Sequence, residues 1–423
     1  MARLVLVGLA GLCLLLVAVA CTGGGRDCVD GEWETAIDTV GDTVVVRTTS
    51  GSVWGDTAFL EAEISIGMLE GPDEYLIGEP RSFAISSHGF VYLLDRQVPV
   101  IRMYAPDGTF IRDIGREGGG PGEYKAPGAI AILPDDRLML RDPANGRVTL
   151  YSTDGEYLEQ LWFPGGFNTS RRLYVDTSGY AYSLVLLNYG TAPWEWEFGL
   201  ARIDPASGIL DTIPAPKWDY QPPQITASRE NSSSSDDVPF SPDECWSFSP
   251  LGYMIGGVST DYRIDLYRTE EPVLRIERAW TPVTVKPEEA EERRRERTAR
   301  FQRQYPGWKW NGPGLPDTKP PFTGLFASEE GNIWVQLSEE GYSTMTEAEA
   351  LAEERRTDRP QIRFTEPAAF DVFLPDGTFL GHVTTPRSFR TRPEPVVRGD
   401  KVWAVTRDEL DVARVVRFRI AKP

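Results

Sequence analysis

The chain holds 423 residues at a formal charge of −19, with 41% hydrophobic and 11% aromatic residues. That length exceeds what one small core needs and makes one large domain or two ordinary ones. The acidic balance weighs against general nucleic-acid binding, which needs a basic surface, and it repels anionic lipid headgroups. His88 and His382 are the only histidines, which weighs against most zinc or iron chemistry and against a histidine-based triad.

The first residues read as a targeting segment rather than as fold. Arg3 is a short basic start, and residues 4–19 form an apolar run of signal-peptide length, too short to span a membrane and stay there. The run ends in Ala18-Val19-Ala20-Cys21, which resembles a bacterial lipobox. In that reading Cys21 carries the lipid and becomes the mature N-terminus; the other reading is an ordinary signal peptide with a chance cysteine. Residues 1–20 are then a lipoprotein signal peptide, and residues 21–34 a tether containing Gly23-Gly24-Gly25. Residues 35–423 are the folded domain. Export places Cys28 and Cys245 in an oxidising compartment as a candidate disulfide, two unlinked thiols being the alternative.

Residues 35–53 contain DTVVVRTTSGSV, a β-branched run that precedes any repeat. Six short turn signals follow: Ser87-His88-Gly89, Asp135-Asp136, Thr177-Ser178-Gly179, Pro250-Leu251-Gly252, Glu330-Gly331 and Gly399-Asp400. Each leads into a short apolar or aromatic strand, such as Val91-Tyr92-Leu93 or Ile333-Trp334-Val335. A later strand in four of the units runs into a second turn, built on glycine. Asp107-Gly108 and Asp154-Gly155 mark that turn 47 residues apart, and Ser207-Gly208 and Asp376-Gly377 repeat it. A period of this length with four strands per unit reads as a propeller blade. The predicted fold is all-β: six four-stranded antiparallel blades with short helical insertions. The sixth unit stops at Ala421-Lys422-Pro423, one strand short. The spare strand Val44–Thr48 is therefore expected to close the ring against the final sheet and hide both edges. A seventh blade within residues 214–239 is disfavoured by their Pro and Ser content.

The repeats resemble NHL-type repeats of six-bladed propellers. Residues 115–124 (GREGGGPGEY), then Asp142-Pro143-Ala144-Asn145-Gly146-Arg147-Val148 and Asp154-Gly155, resemble bacterial six-bladed propeller lipoproteins. The resemblance is strongest over residues 64–162 and is diluted by insertions over residues 169–386. It implies fold and export, and no single activity, because function lives in sites grafted onto folds.

Antiparallel connectivity puts the tight turns on one side of the disc. The long segments, residues 116–127, 187–198, 214–242, 286–321 and 338–363, fall on the other. Long loops on a rigid scaffold carry binding. These loops hold Trp194 and Trp196, Trp218 and Tyr220, and Trp308 and Trp310. Such residues suit peptide or sugar recognition; packing the loops onto the disc as a local core is the other reading. Residues 288–304 read as a helix after Pro287, with Glu289→Arg293 and Glu291→Arg295 at i,i+4 spacing and almost no apolar stripe. It is either a lid or a solvated surface insertion. Ser232–Ser235 with Asp236-Asp237 reads as a mobile polar loop.

The glycine run 118–122 lacks the Lys-Ser/Thr of a phosphate loop and reads as a crossover between blades. Asp142 and Arg147 read as a structural pair, with Asp95 and Arg96 at the matching place. His88 falls in a turn on the tight-turn side and His382 near the last strand of a unit, and the two are not expected to meet. No catalytic or metal-ligating residue is assigned and no cofactor is expected, though a calcium site built from Asp and backbone oxygens stays open. The functional expectation is a lipid-anchored, monomeric binding scaffold in the bacterial cell envelope. It would engage a peptide, protein or glycan on its long-loop face and no nucleic acid, and touch the membrane only through its lipid. The alternative is an exported metal-dependent hydrolase or lyase with a carboxylate-lined central site.

Overall fold

The computed structural model describes residues 33–163, 172–188, 196–229, 232–268 and 271–422. Strand pairing gives three four-stranded antiparallel sheets, one sheet of six strands and one of nine; divided at their parallel joins, the larger two read as further four-stranded units. The first four units are continuous in sequence: Pro80–Ile85 to Phe110–Ile114, Ala129–Ile132 to Tyr157–Trp162, Leu173–Val175 to Gly208–Pro214, and Glu244–Ser249 to Pro272–Arg278. The fifth runs from Phe322–Ala327 through Ile333–Leu337 and Ala369–Phe373 to Phe379–Thr384. The sixth orders Val396–Arg398, Lys401–Arg407, Ala413–Ala421 and, as its outer strand, Ala58–Ile66.

Each unit buries both faces. Six core clusters each draw on two consecutive units. Phe83, Ile85 and Leu93 of the first unit share one with Trp403, Val405 and Val415 of the sixth. The stacking therefore returns on itself, and the molecule is an all-β propeller. Two α-helices occur among the described residues, α1 (Pro287–Gln304) and α2 (Glu347–Thr357).

The closing strand differs from the expected one. Val44–Thr48 pairs in parallel with Leu274–Arg278, the outer strand of the fourth unit, and makes no pair with the final sheet. The final sheet is completed by Ala58–Ile66, antiparallel to Ala413–Ala421. The chain between them runs along the fifth unit, where Val53 and Trp54 donate backbone N–H groups to Phe379 and Leu380 carbonyls. The physical reason lies in side-chain chemistry. The β-branched run is the more strand-like segment, but Val46 is buried and lies against the glycine of the Asp376-Gly377 turn. In Ala58–Ile66, by contrast, Ala58, Leu60 and Ile66 turn inward, while Glu61 and Glu63 pair outward with Arg419, Arg417 and Lys401.

Gly377 illustrates the turn chemistry. Its φ is +88°, and a Cβ there would sit 2.9 Å from the Val46 Cβ. Gly208 has a φ of +95° with nothing near its absent Cβ. Gly377→Ala is expected to destabilise through both strain and contact, by about 2–3 kcal/mol, and Gly208→Ala through strain alone, by about 1 kcal/mol. Denaturant titration of the two variants measures the difference; equal losses would show that Val46 gives way freely.

Candidate functional site

Strand direction gathers the long segments on one side of the disc. Three of them follow the outer strands of the third and fourth units and the second strand of the fifth: residues 215–243, 279–321 and 338–368. They fuse into one cap. Residues Gln224–Arg229 and Ser232–Asp237 form an antiparallel hairpin, where the sequence suggested a mobile loop. Ile225, Ala227 and Val238 of this insertion share a satellite core with Phe301 and Tyr305 at the end of α1. The serine-rich strand finds its polar partners on the helix: Ser234 Oγ is 2.9 Å from the Tyr305 hydroxyl, and Arg297 Nε is 2.9 Å from Asp236.

Lys319 ties all three insertions together. Its side chain is 1% exposed. Nζ donates to Glu289 Oε1 at 2.9 Å, Glu366 Oε1 at 2.8 Å and the Glu339 carbonyl at 3.0 Å. It also lies 5.4 Å from the Phe240 ring centroid. Buried Glu292 accepts from the Arg363 side chain and, at 3.0 Å, from its backbone N–H. The charges of α1 thus serve contacts with the neighbouring insertion, and Arg293 donates to the Phe364 carbonyl rather than pairing along the helix. A nearly all-polar helix is held by tertiary ion pairs, which an i,i+4 reading misses.

Beside the cap, between the fourth and fifth units, lies a cleft of about 320 Å³ lined by residues that include Arg278, Trp280, Leu337, Ser338, Glu339 and Asp371. Asp371 is fully buried at its floor. Its carboxylate accepts from the Tyr262 hydroxyl at 2.7 Å and from Arg278, and His382 Nδ1 lies 3.3 Å away. Burial next to this carboxylate drives the Tyr262 hydroxyl far above its ordinary pKa, so Tyr262 stays a hydrogen-bond donor. Glu339 has its backbone held on both sides, the carbonyl by Lys319 and the N–H by Glu366. Its carboxyl makes no hydrogen bond among the described residues and is pushed up by burial, then pulled back by His382 and raised again by Glu366 and Asp371. Ser338 is 6% exposed, and its Oγ has no partner among the described residues.

The predicted aromatic residues do not form one cluster. Trp308 and Trp310 belong to the satellite core, with Trp308 Nε1 donating to the Thr226 carbonyl and Trp310 Nε1 to the Gly312 and Pro313 carbonyls. Trp218 meets the Tyr267 ring edge-on at 6.1 Å, and Tyr220 donates to the Pro242 carbonyl. Trp196 lies 6.5 Å from the Phe198 ring, and Trp194 falls outside the described residues. None of the described ones lines the cleft. Trp280 does line it and belongs to no motif in the sequence, although a tryptophan just past a strand end and inside a long crossover is a usable signal.

Other expected features are placed as follows. Cys21 and Cys28 fall outside the described residues, and Cys245 is buried, its thiol pushed up to about 12 chiefly by that burial. Asp142 and Arg147 are structural, each through the crossover backbone. Asp142 accepts from the Lys125 and Ala126 N–H groups, and Arg147 donates to the Gly119, Gly120 and Glu123 carbonyls. Asp95 repeats the first arrangement with Gly78 and Glu79. The glycine-rich run is therefore a clamped crossover. His88 sits beside Ser87 and Asp136 on the tight-turn side, far from His382.

The centre of the disc is a second polar place. Arg172 Nη2 pairs with Glu394 at 2.8 Å, joining the third unit to the sixth, which share no core cluster, so the contact crosses the middle. Both side chains keep water access, at 42% and 24% exposure. Enclosure pushes the Glu394 carboxyl up against the opposing pull of Arg172, an effect the water moderates. On the fourth unit's inner strand, burial and then Asp243 raise Glu244 to about 7. Among the described residues no group of three or more His, Cys, Asp or Glu side chains converges to hold a metal ion. No described helix is long and apolar enough to cross a membrane.

Comparison with known proteins agrees with this architecture. A family model, DUF5128, described as a 6-bladed beta-propeller, matches residues 59–212. The crystal structure of a member of the duf4221 family from Bacteroides vulgatus superposes with a TM-score of 0.51 at 10% identity, covering 87% of this chain and 99% of that one. A gluconolactonase from Xanthomonas campestris gives 0.40 at 11% identity, over 85% and 98% of the two chains. A virginiamycin B lyase from Staphylococcus aureus gives 0.39 at 10% identity, over 84% and 99%. No curated protein matches the chain. At these identities the likeness is one of fold.

Proposed function

We propose that this chain is an exported, lipid-anchored, six-bladed β-propeller with NHL-like repeats that works as a binding scaffold in the bacterial cell envelope. It engages a peptide, protein or glycan on its long-loop face, as a monomer, and no nucleic acid. Cys21 supplies the anchor. The observation that carries this reading is the asymmetry of the disc: three insertions on one face are welded by the buried Lys319 node into a cap that walls a cleft. Among the described residues the opposite face carries only tight turns. A buried polar weld fixes insertions in place, as a binding surface requires and a spacer loop does not. Trp196, Trp218 and Tyr220 stand on crossovers of the same face and extend the surface beyond the cleft.

A label that blocks one face tests this whatever the bound molecule is. Residues 22–423 carrying Cys28→Ser would be given either Lys309→Cys in the cap or Ser207→Cys in a tight turn. Both positions are exposed, and Cys245 is too buried to react. Each would be coupled to polyethylene-glycol maleimide and applied to arrays of glycans and of peptides. Label at Lys309→Cys is expected to abolish array binding, and label at Ser207→Cys to leave it intact. The reverse pattern would place binding on the tight-turn face and overturn the proposal.

A further inference from the structure

The cleft between the fourth and fifth units has a chemistry that narrows what it takes, given the reading that the long-loop face binds. Its one guanidinium, Arg278, is already matched by Asp371, and its ring-facing side lies 4.2 Å over Phe379. The Arg278 side chain stays 30% exposed, and its guanidinium hydrogen-bonds only Asp371 among the described residues, which leaves N–H donors for a ligand. Ser338 Oγ is buried without a partner among those residues, and the Glu339 carboxyl is unbonded although its backbone is fixed. A buried polar atom such as Ser338 Oγ costs free energy until something satisfies it, and the half-buried Glu339 carboxyl is free to meet a ligand. Trp280 and Leu337 add an apolar wall beside these groups.

Three ligand classes fit this poorly. An anion meets no uncompensated cation here, and Glu339 and Asp371 add negative charge. A cation finds one unpaired carboxylate, Glu339, since Asp371 is taken by Arg278, and no group of three ligating side chains converges among the described residues. An extended peptide needs a free strand edge for its ladder, and the bordering strands have none. Pro272–Arg278 is paired by Arg263–Tyr267 on one side and by Thr43–Ser50 on the other, and Ile333–Leu337 lies between Phe322–Ala327 and Ala369–Phe373. A polyhydroxylated neutral molecule fits all of it. Its hydroxyls accept from Arg278, donate to or accept from Glu339, and exchange hydrogen bonds with Ser338. Its C–H face lies on the Trp280 indole, an amphipathic surface suited to that contact. At about 320 Å³ the cleft is at the small end of ligand sites, which run from roughly 300 to 1,000 Å³. We infer that this cleft is a subsite for a neutral saccharide, one end of a glycan chain that the cap holds against Trp280, with Arg278, Ser338 and Glu339 reading its hydroxyls.

Saturation-transfer NMR on residues 22–423 tests this with three named probes: a neutral hexose oligomer set, an oligogalacturonate, and a mixed-sequence peptide pool. Neutral oligomers are expected to receive saturation, with affinity falling at least tenfold in Trp280→Ala and in Glu339→Ala. Trp280 also packs against the core of the fourth and fifth units. Glu339→Ala is the second variant because its backbone alone takes part in the weld, so the melting temperature should stay close to that of the parent. Binding of oligogalacturonate in preference to neutral oligomers would overturn the assigned class. Neutral oligomers bound equally by both variants would overturn the assigned place. Peptides captured on the long-loop face with no saccharide bound would overturn this inference while leaving the scaffold reading intact.

Discussion

Lys319→Met is expected to cost about 3–5 kcal/mol, the penalty for removing one partner of a buried ion pair. Lys319 and Glu289 are each 1% exposed. Glu289 Oε2 already lacks a partner among the described residues, so loss of the ammonium leaves a buried carboxylate with nothing to balance it. The loss should be local as well as global. Amide exchange should speed up together in α1, in residues 338–343 and around Glu366, because one nitrogen serves all three. The double variant Lys319→Met with Glu289→Met is expected to recover most of the loss, since an apolar replacement of similar volume removes both desolvation penalties. A surface pair makes the control: Arg356 and Glu353 on α2 are 73% and 37% exposed, and Arg356→Ala should leave the melting temperature unchanged. Chemical denaturation of the four proteins decides it. A single-variant loss no larger than that of the control would mean that water reaches the Lys319 site and that the cap is not welded there.

The repeating part of the molecule was legible in the sequence because its signals are local. Asp107-Gly108 and Asp154-Gly155 announce their turns with two residues, and alternation marks the strands on either side. Once strand order is known, connectivity assigns every loop to a face, which is why the long segments group together. The site was less legible because its residues are ordinary until the fold assembles them. Lys319 sits in Asp317-Thr318-Lys319-Pro320 with no local partner; Glu289 and Glu366 are 30 and 47 residues away. Ser338 follows the end of one strand and Asp371 lies in the middle of the next, on either side of a helical insertion. Trp308 and Trp310 carry the strongest aromatic signal in that crossover, yet their indole N–H groups are used on backbone carbonyls and their rings fill the cap. Aromatic density pointed to where the insertions pack, and charge pairing across long sequence separations fixed where the cleft opened.

Removing residues 33–66 is expected to abolish cooperative folding, whereas removing residues 33–50 should leave a folded, less stable protein. The shorter deletion takes away Glu34–Val40 and Thr43–Ser50, an extra hairpin on the outside of a fourth unit that already has its four strands. It uncovers the edge of Pro272–Arg278 and frees the space at Gly377, which is costly but confined to one rim. The longer deletion also removes Ala58–Ile66, the outer strand of the sixth unit, which bridges to the fifth through Ala58 and Phe59. Burying Leu60 and Ile66 contributes about 1.5–3 kcal/mol each, and Phe418 and Ile420 lose the cover these residues give. Added to a lost ladder and an exposed edge, that is comparable with the about 5–15 kcal/mol by which domains are stable at all. Circular dichroism melts and gel filtration of the two truncations separate the cases. A 33–66 deletion that melts cooperatively as a monomer would show that the sixth unit stands on three strands. An aggregated 33–50 deletion would return the closing role to Val44–Thr48.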